Sequence, residues 1–332
     1  SALPSELPSE LPSEPPSELP SELIPELSSE LSSEPSSEAP SEAPSDAPTS
    51  APSSWWRRRR RAESIRNRRR LRESQLDNTY NKLLVHLREG SFLDADDKHL
   101  VGAIPTAIGV MTNLLMIDYY DNSLSGNIPS EVGLLTNLKG FHSNKNNLSG
   151  SIPSHIGLLT NLNKLHLDHN SLSGTIPTEI WLMTNLDELN FSYNGFFGSI
   201  PGEVGLLVNL SYLGFDDNKL SGTIPSEIGL LTGLHVVDFS NNDLRGCIPS
   251  EIGLLTALTA LGLSNIGLEG TIPSEIGLLT NLDELWIDGN ELVGTIPTEI
   301  GLLTNLHSLE LSGNHISGRI PEEVNFAVYG IV

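Results

Sequence analysis

The chain has 332 residues and a formal net charge of −23 at pH 7, and residues 101–332 alone contain 24 acidic and six basic residues. This charge argues against nucleic-acid binding by that part of the chain. The single cysteine, Cys247, excludes an intramolecular disulfide, and no apolar run reaches the length of a transmembrane helix.

Residues 1–54 repeat a degenerate tetrapeptide, Leu/Ala-Pro-Ser-Glu, and contain eleven acidic residues and no basic one. Their twelve prolines are incompatible with a helix, and few apolar side chains are available to form a core. We therefore predict a disordered acidic spacer, partly in the polyproline II conformation. An inert linker and a modified, stalk-like segment are both compatible with this composition.

Residues 55–73 have the opposite charge. Trp55 and Trp56 are followed by a run of five arginines, Arg57–Arg61, and a second arginine cluster ends at Arg72. Four interpretations remain open for this segment: contact of Trp55–Arg72 with an anionic membrane, a nuclear or nucleic-acid-binding patch, a basic processing site, and a solvated charge run neutralised by the acidic spacer.

Residues 74–100 carry a helix signal. Ser74 and Asp77 resemble a capping box, and the leucines that follow, including Leu83 and Leu87, recur on one helical face up to Gly90. We predict a helix that covers the open end of the first coil, followed by an irregular first coil in which Lys98 replaces a recurrent asparagine.

Residues 101–332 form the repetitive part. An Ile-Pro pair recurs every 24 residues, ten times, from Ile104 to Ile320. Such a strict period predicts one supersecondary unit stacked on copies of itself. In residues 282–305, the apolar Leu285 and Ile287 alternate with Trp286 and Asp288, which predicts a short half-buried strand. Stacked coils would join these strands into one parallel sheet.

An asparagine follows each predicted strand, where the chain turns away from the sheet. Its amide can both donate and accept, so a column of such residues can satisfy the backbone groups of the turns. Ile266 interrupts the column, which predicts a weak point unless Asn265 substitutes. The predicted ladder consists of Asn122, Asn146, Asn170, Asn194, Asn218, Asn242, Asn290 and Asn314.

The full pattern, L-x-x-L-x-L-x-x-N-x-L-x-G-x-I-P-x-E-I-G-L-L-T-N, resembles the plant-type leucine-rich repeat over about 220 residues. The resemblance implies an α/β repeat fold: a curved right-handed solenoid with its parallel sheet on the concave face, an N-terminal capping helix and a disordered tail. The family includes receptor-like proteins, receptor kinase ectodomains and polygalacturonase inhibitors. An extracellular or cell-surface location is therefore expected.

The sequence contains no recognisable catalytic motif. The sequence shows no nucleophile–base set, no glycine-rich phosphate loop and no Cys/His zinc spacing. We predict a protein that is not an enzyme and needs no cofactor. His142, His166, His169 and Asp168 are close enough in the pattern to suggest a divalent cation, but a solvated polar patch is favoured, so no metal is predicted.

The positions that vary from coil to coil on the predicted sheet are free to specify a partner. We predict a recognition module that binds a protein or peptide, with a basic partner favoured by the acidic surroundings. The alternative is a surface protein that binds cell-wall glycan or ice through an outer row of Ser and Thr, including Thr175 and Thr223. The predicted partner-binding residues are His142, His166, His169, Tyr193, Tyr212, Asp216, Asp217, Trp286 and Asp288.

Overall fold

The computed structural model describes residues 91–96 and 98–318. The predicted acidic spacer (1–54), the basic segment (55–73) and the predicted capping helix after Ser74 lie outside the described residues. Within them, twenty short strands and nine 3-10 helices alternate along the chain, with the same order in successive coils. The helical elements in this range are 3-10 helices rather than α-helices.

One strand from each coil enters a ten-stranded parallel sheet, here called the concave sheet, in which neighbouring strands are consecutive coils. Its strands, numbered with all others in chain order, are β1 (Phe92–Asp94), β3 (Met116–Asp118), β5 (Gly140–His142), β7 (Lys164–His166), β9 (Glu188–Asn190), β11 (Tyr212–Gly214), β13 (Val236–Asp238), β15 (Ala260–Gly262), β17 (Glu284–Trp286) and β19 (Ser308–Glu310).

The strands that remain form an outer layer of two parallel sheets, one of seven strands (β2 to β14) and one of three (β16 to β20). This outer layer was not predicted from the sequence. Its strands are β2 (Val101–Gly102), β4 (Ser123–Gly126), β6 (Asn147–Gly150), β8 (Ser171–Gly174), β10 (Gly195–Ser199), β12 (Lys219–Gly222), β14 (Asp243–Leu244), β16 (Glu269–Gly270), β18 (Glu291–Thr295) and β20 (His315–Ser317).

A 3-10 helix of five residues closes each coil after the proline of the Ile-Pro pair. In the coil of Pro225, the N–H of Ile228 donates to the proline carbonyl at 3.1 Å, and the helix ends at Leu231. Helices this short cannot repay α-helix nucleation. The nine helices are Thr106–Val110, Ser130–Leu134, Ser154–Leu158, Thr178–Leu182, Gly202–Leu206, Ser226–Leu230, Ser250–Leu254, Ser274–Leu278 and Thr298–Leu302.

The glycine inside most of these helices lets neighbouring coils approach closely. A Cβ on Gly253 would lie 2.6 Å from the carbonyl oxygen of Glu275 in the next coil. Only a residue without a side chain fits this contact without moving the backbone. The I-G-L spacing is therefore a packing requirement of the stack.

The core lies between the concave sheet and the 3-10 helices. The middle residue of each concave strand, such as Leu213, is fully buried, and so are the aromatic rings of Phe191, Phe215 and Phe239. These three rings stack on one another with centroids 5.8 and 6.0 Å apart. Each coil thus buries its apolar side chains against its two neighbours, which explains why the repeat must be stacked.

The asparagine ladder forms the same hydrogen bonds at all eight positions. In the Asn218 coil, Nδ2 donates to the carbonyls of Phe191 (3.0 Å), Phe215 (3.1 Å) and Asp216 (3.2 Å). Oδ1 accepts the N–H of Phe196 at 3.0 Å. One side chain therefore satisfies turn groups in two consecutive coils.

The ladder breaks at Ile266, and the outer layer divides at the same place. β14 is the last strand of the seven-stranded sheet, and only the isolated bridge Gly246–Leu268 continues toward β16. Asn265 does not substitute, because its Nδ2 donates to Asn241 on the exposed surface. Instead, Oδ1 of Asn290 accepts the N–H of Ile266 at 3.2 Å as well as that of Leu268.

A second asparagine ladder, which the sequence interpretation did not identify, supports the exposed turns after the 3-10 helices. Its Nδ2 atoms donate to a threonine carbonyl 25 residues earlier, as Asn161 does to Thr136 at 2.8 Å. Gly233 and Ala257 interrupt this column. Its members in the described coils are Asn137, Asn161, Asn185, Asn209, Asn281 and Asn305.

The opening coil is more regular than expected. Phe92–Asp94 pairs in register with Met116–Asp118 in the concave sheet, and Val101–Gly102 pairs with β4 in the outer layer. The regular hydrogen-bonding pattern of the solenoid therefore starts before residue 101. Residues 91–96 and 98–318 contain no helix long and apolar enough to cross a membrane.

Candidate partner-binding face

The concave sheet presents side chains in rows because every strand has the same three-residue pattern. In β11, Leu213 points into the core and Tyr212 points outward, whereas Gly214, at the next outward position, is buried. The equivalent residues of neighbouring strands stand directly beside them, since Tyr212 pairs with Glu188 on one side and Val236 on the other. A side chain therefore interacts mainly with the residues 24 positions away.

The row that leaves the sheet has a backbone constraint that the sequence interpretation missed. Its residues adopt positive φ, with values from 50° to 67°. Asn, Asp and Gly are the residues that tolerate this conformation best, and they fill six of its nine positions. The row consists of Asp121, Lys145, His169, Tyr193, Asp217, Asn241, Asn265, Gly289 and Gly313.

His142 and His166 stack face to face on adjacent strands, with ring centroids 4.7 Å apart and an interplanar angle of 11°. Nδ1 of His142 lies 3.6 Å from Oδ2 of Asp118, and Nε2 of His166 lies 2.9 Å from Oε2 of Glu188. Stacked rings cannot direct their ring nitrogens at one shared cation. Among the described residues, no group of three His, Cys, Asp or Glu side chains is placed to hold a metal ion.

Burial lowers the pKa of His166, and the neighbouring His142 adds to the effect, whereas Glu188 and Asp168 oppose it. The neutral imidazole is therefore favoured in the folded state. On the same strand, Lys164 forms an ion pair with Glu188. Glu188 thus contacts both Lys164 and His166, whereas Nε2 of His142 is buried without a hydrogen-bond partner among the described residues.

His169 and Tyr193 form a second stacked pair, with centroids 4.2 Å apart. Nδ1 of His169 lies 3.0 Å from Oδ2 of Asp168. One coil earlier, Nζ of Lys145 donates to the Tyr120 hydroxyl at 2.8 Å and lies over that ring. We call the coils of Tyr120 to Tyr193 the paired region, because their histidine, lysine, tyrosine and carboxylate side chains on the concave face stack or form ion pairs with one another.

Tyr212, Asp216, Asp217 and Asp238 follow in the next two coils, and we call them the acidic region. No ion pair between described residues involves these three aspartates. Burial raises the pKa of Tyr212 to about 12, with added contributions from nearby carboxylates, Asp216 first and Asp238 second. Burial also raises the pKa of Asp216 to about 6.

Trp286 and Asp288 lie apart from the other predicted residues. Their strand, β17, is three strands from β11, which corresponds to about 14 Å. Nε1 of Trp286 donates to the Ser308 hydroxyl at 3.2 Å, and Oδ1 of Asp288 accepts from the Ser264 hydroxyl at 2.5 Å. The structure therefore brings the first seven predicted residues onto neighbouring coils and separates the last two from them.

Three members of this face were not among the predicted site residues. Gly214 and Asp238 lie in its central row, and Ser192 lies in the row beside it, next to Asp216. Asp238 could have been found by comparing equivalent positions of neighbouring strands. It stands between Gly214 and Gly262, so no basic side chain is beside it in the register. Gly214 could not be found in this way, because it is required by the position of one ring: a Cβ there would lie 2.9 Å from Cε1 of Tyr212.

The outer layer carries the predicted hydroxyl row. Its members are exposed, and each lies against the glycine of the next coil, as Thr175 does at Gly198. Cys247 occupies this row and is exposed. The row consists of Ser151, Thr175, Ser199, Thr223, Thr271 and Thr295.

The sequence matches two leucine-rich-repeat family models. The model of a leucine-rich repeat region covers residues 198–324, and the single-repeat model matches residues 161–183 and 185–207. A search of curated protein sequences gives no significant match.

Two solved plant receptor structures resemble the chain. One is the plant peptide hormone receptor RGFR1 in complex with RGF2, with 39% identity, a TM-score of 0.66, and coverage of 68% of this chain and 36% of that one. The other is the ectodomain of the Arabidopsis receptor kinase HAESA in complex with an extended IDA peptide hormone, with 38% identity, a TM-score of 0.64, and coverage of 67% and 37%. The chain thus spans little more than a third of these receptor chains.

A plant ice-binding protein is also similar, with 27% identity, a TM-score of 0.61, and coverage of 69% of this chain and 73% of that one. The two family models, the 24-residue register and the parallel sheets point to the same repeat. The chain therefore belongs to the leucine-rich-repeat proteins of the plant type.

Proposed function

We propose that this chain is a non-catalytic recognition module that binds a protein or peptide on its concave face. The observation that carries this proposal is the acidic region, in which three aspartates and a half-buried tyrosine lie side by side with no basic partner among the described residues. Side chains of this kind, held on a rigid sheet, lose little entropy when a partner binds.

The similar structures support the type of partner proposed here. RGFR1 and HAESA are described in complex with peptide hormones, and HAESA also with a co-receptor, SERK1. By analogy, we propose a peptide or protein partner and an extracellular or cell-surface location. The acidic face favours a basic partner, whose association should slow as the salt concentration rises.

A peptide-display selection against the full chain tests this function. The affinity of an enriched peptide would be measured for the wild type, for Tyr212→Ala and Trp286→Ala on the concave face and for Thr223→Ala on the outer layer. We expect Trp286→Ala to weaken binding and Thr223→Ala to leave it unchanged. Binding that depends on Thr223 but not on any concave residue would refute the assignment.

A second candidate function rests on the exposed hydroxyl row. A row of serine and threonine hydroxyls along a sheet can order water, and a plant ice-binding protein is among the similar structures. The interruption at Ile266 limits the regular array to the coils before it. Inhibition of ice recrystallisation by the full chain, and its loss in Thr175→Leu, would support this function, whereas equal activity of the variant would exclude the row.

A further inference from the structure

Three separate hydrogen-bonding systems of the solenoid are interrupted at one interface between coils. This interface lies between the coil of β13 and β14, residues 232–255, and the coil of β15 and β16, residues 256–279. The first interrupted system is the outer layer. Successive outer strands pair with one another before and after this interface, whereas β14 and β16 are joined only by the isolated bridge Gly246–Leu268.

The second interrupted system is the ladder of buried asparagines. At eight equivalent positions a backbone N–H donates to the ladder Oδ1 of the next coil, as Leu220 does to Asn242 at 2.9 Å. Leu244 is the exception, because Ile266 occupies the ladder position of the next coil. Leu244 is 1% exposed, so its N–H is buried without the acceptor that the other coils provide.

The third interrupted system is the second asparagine ladder, on the exposed turns after the 3-10 helices. One interface later, Nδ2 of Asn281 donates to the Thr256 carbonyl at 2.8 Å. Ala257 holds the equivalent position here and has no amide with which to reach Thr232. The interface between residues 232–255 and 256–279 therefore lacks all three of the connections that recur elsewhere along the stack.

The chain also follows a different path between β15 and β16. Gly267 has a φ of 71° in addition to the positive φ of Asn265, whereas Asn241 alone has positive φ in the equivalent turn of the coil before. A groove of about 640 Å³ lies at this point, with Leu244, Ile266 and Gly267 among the residues that line it. The outer sides of the two coils are thus less closely joined than those of other coils.

The concave side of the same interface is intact. β13 and β15 pair in register over their full length, from Val236 to Asp238. The N–H of Phe239 donates to Gly262 at 2.9 Å, as in the neighbouring coils. The two coils are therefore tied by a continuous row of backbone hydrogen bonds on one side, and by one bridge and the apolar core on the other. Two bodies joined in this way can rotate about the bonded side.

We propose that this interface is a hinge of the solenoid. The concave strands β13 and β15 form its axis, and the outer layer opens between β14 and β16, so that the coils from residue 256 onward tilt toward the concave face. The opening breaks few hydrogen bonds, because those that resist it between other coils are absent here.

The hinge lies between two parts of the concave face. Tyr212 and Asp238 are on strands before it, whereas Trp286 is on β17, after it. Opening changes the distance from Trp286 to the acidic region and leaves the distances within the acidic region unchanged. The concave face is therefore adjustable at one place and fixed elsewhere, and this inference does not depend on the partner proposed above.

Double electron–electron resonance between spin labels measures the motion directly. In a Cys247→Ser background, the pair Thr178→Cys and Thr298→Cys spans the interface, and the pair Thr106→Cys and Ser226→Cys does not. All four labelled positions are exposed first residues of 3-10 helices, and both pairs are five repeats apart. We expect the distance distribution of the spanning pair to be about twice as broad as that of the control pair.

Restoring the missing connections should close the hinge. Ile266→Asn with Gly267→Asp gives this coil the pair found at Asn242 and Asp243, and Ala257→Asn supplies the missing exposed amide. The triple variant should narrow the spanning distribution to the width of the control pair. Ala257→Asn alone changes no core residue, and it should give a smaller narrowing even if the triple variant folds poorly.

Hydrogen exchange of the full chain locates the opening. The N–H groups of Glu269 and Arg245 form equivalent outer-layer bonds of 2.9 and 2.8 Å, the first across this interface and the second across the one before. We expect the protection factor of Glu269 to be about tenfold lower than that of Arg245. Phe239 and Phe215, which donate across the same two interfaces on the concave side, should be protected equally.

Two results would overturn the hinge. One is an equal width of the distance distribution for both label pairs in the wild type. The other is a loss of protection at Phe239 as large as that at Glu269, which would mean that the coil unfolds locally instead of rotating about the concave strands.

Discussion

The paired and acidic regions occupy the same rows of the same sheet, yet their side chains are arranged differently. In the paired region, His142 stacks on His166 and His169 stacks on Tyr193, each beside a carboxylate. In the acidic region, Asp216 and Asp238 face other acids and a tyrosine. The backbone of the two regions is equivalent, so the difference comes only from which residues stand 24 positions apart.

This comparison shows where binding energy is available. A polar group that already has a partner gains little from a ligand, because the old interaction must be broken first. The carboxylates of the acidic region accept hydrogen bonds from neutral groups, as Asp238 does from the Ser240 N–H, but they form no ion pair among the described residues. A cationic ligand would break no ion pair there, and its attraction would be weakened less by water than at a fully exposed site. The acidic region is therefore the better candidate for the centre of recognition, and the paired region the better candidate for its rigid border.

The largest expected effect tests whether both regions share one scaffold. Asn170→Ala in the paired region and Asn218→Ala in the acidic region each remove a side chain that bonds three carbonyls and one N–H. Both should lower the free energy of unfolding by about 2–4 kcal/mol, measured by chemical denaturation. Asn144→Ala, outside the ladder, should change it little. Markedly unequal losses would mean that the two backbones are not equivalent.

The second prediction compares the two tyrosines in partner binding. Tyr212→Ala should weaken binding of a selected peptide by about 2 kcal/mol in isothermal titration calorimetry, because the ring lies beside carboxylates that form no ion pair among the described residues. Tyr193→Ala should weaken it less, since Tyr193 already stacks on His169. A larger effect at Tyr193 would reverse the roles given to the two regions.

The third prediction is that the regions respond to acid in opposite directions. The pKa of His166 is lowered in the folded state. Its contribution to the free energy of unfolding is therefore complete above the unfolded pKa of 6.5 and is lost as the pH falls through the lower, folded pKa. The pKa of Asp216 is raised from 3.8 to about 6 in the folded state. Its contribution to the free energy of unfolding is therefore complete below pH 3.8 and is lost as the pH rises through about 6.

Thermal unfolding across pH 4–8 measures both effects. Relative to the wild type, Asp216→Asn should be more stable by roughly a few degrees at pH 7.5 and similar near pH 4. His166→Gln should show its relative gain at the acid end instead, because burial makes protonation of the wild-type ring unfavourable there. Parallel curves for the two variants would contradict this assignment of charges.

The smallest expected effect concerns the row with positive φ. Lys145 has a φ of 52°, a conformation that asparagine tolerates better. Lys145→Asn removes the contact with Tyr120 but relieves the backbone, so denaturation should show a change within about 0.5 kcal/mol. Lys145→Val should be clearly less stable, because a β-branched side chain is strongly disfavoured there. Equal stability of the two variants would rule out the backbone constraint.

Much of the fold could be predicted from the sequence because each coil repeats the same requirements. Counting in steps of 24 residues predicts the Ile-Pro pairs, the ladder asparagines and the buried strand positions equivalent to Leu285. The outer layer was harder to predict, since strands as short as Asp243–Leu244 carry little periodic signal. The positive φ of the row after the strands was visible in its Asn, Asp and Gly residues, but was read as free variation.

The candidate site could be predicted only in part. Repetition places Tyr212 and Asp216 on the exposed face, because alternation is a property of the backbone. Whether His169 stacks on Tyr193, or Tyr212 lies over Gly214, depends on side-chain conformations that the pattern does not encode. The sequence therefore identified most residues of the face, but not which of them interact with each other and which remain available.

The central claim is that a partner binds the concave face at the acidic region. The most direct measurement is hydrogen–deuterium exchange of the full chain with and without a selected peptide. We predict that protection is greatest in Tyr212–Gly214 and Val236–Asp238, extends to neighbouring concave strands, and leaves the outer strand Lys219–Gly222 unchanged. Protection confined to the outer strands, with Tyr212–Gly214 exchanging as in the free protein, would contradict the claim.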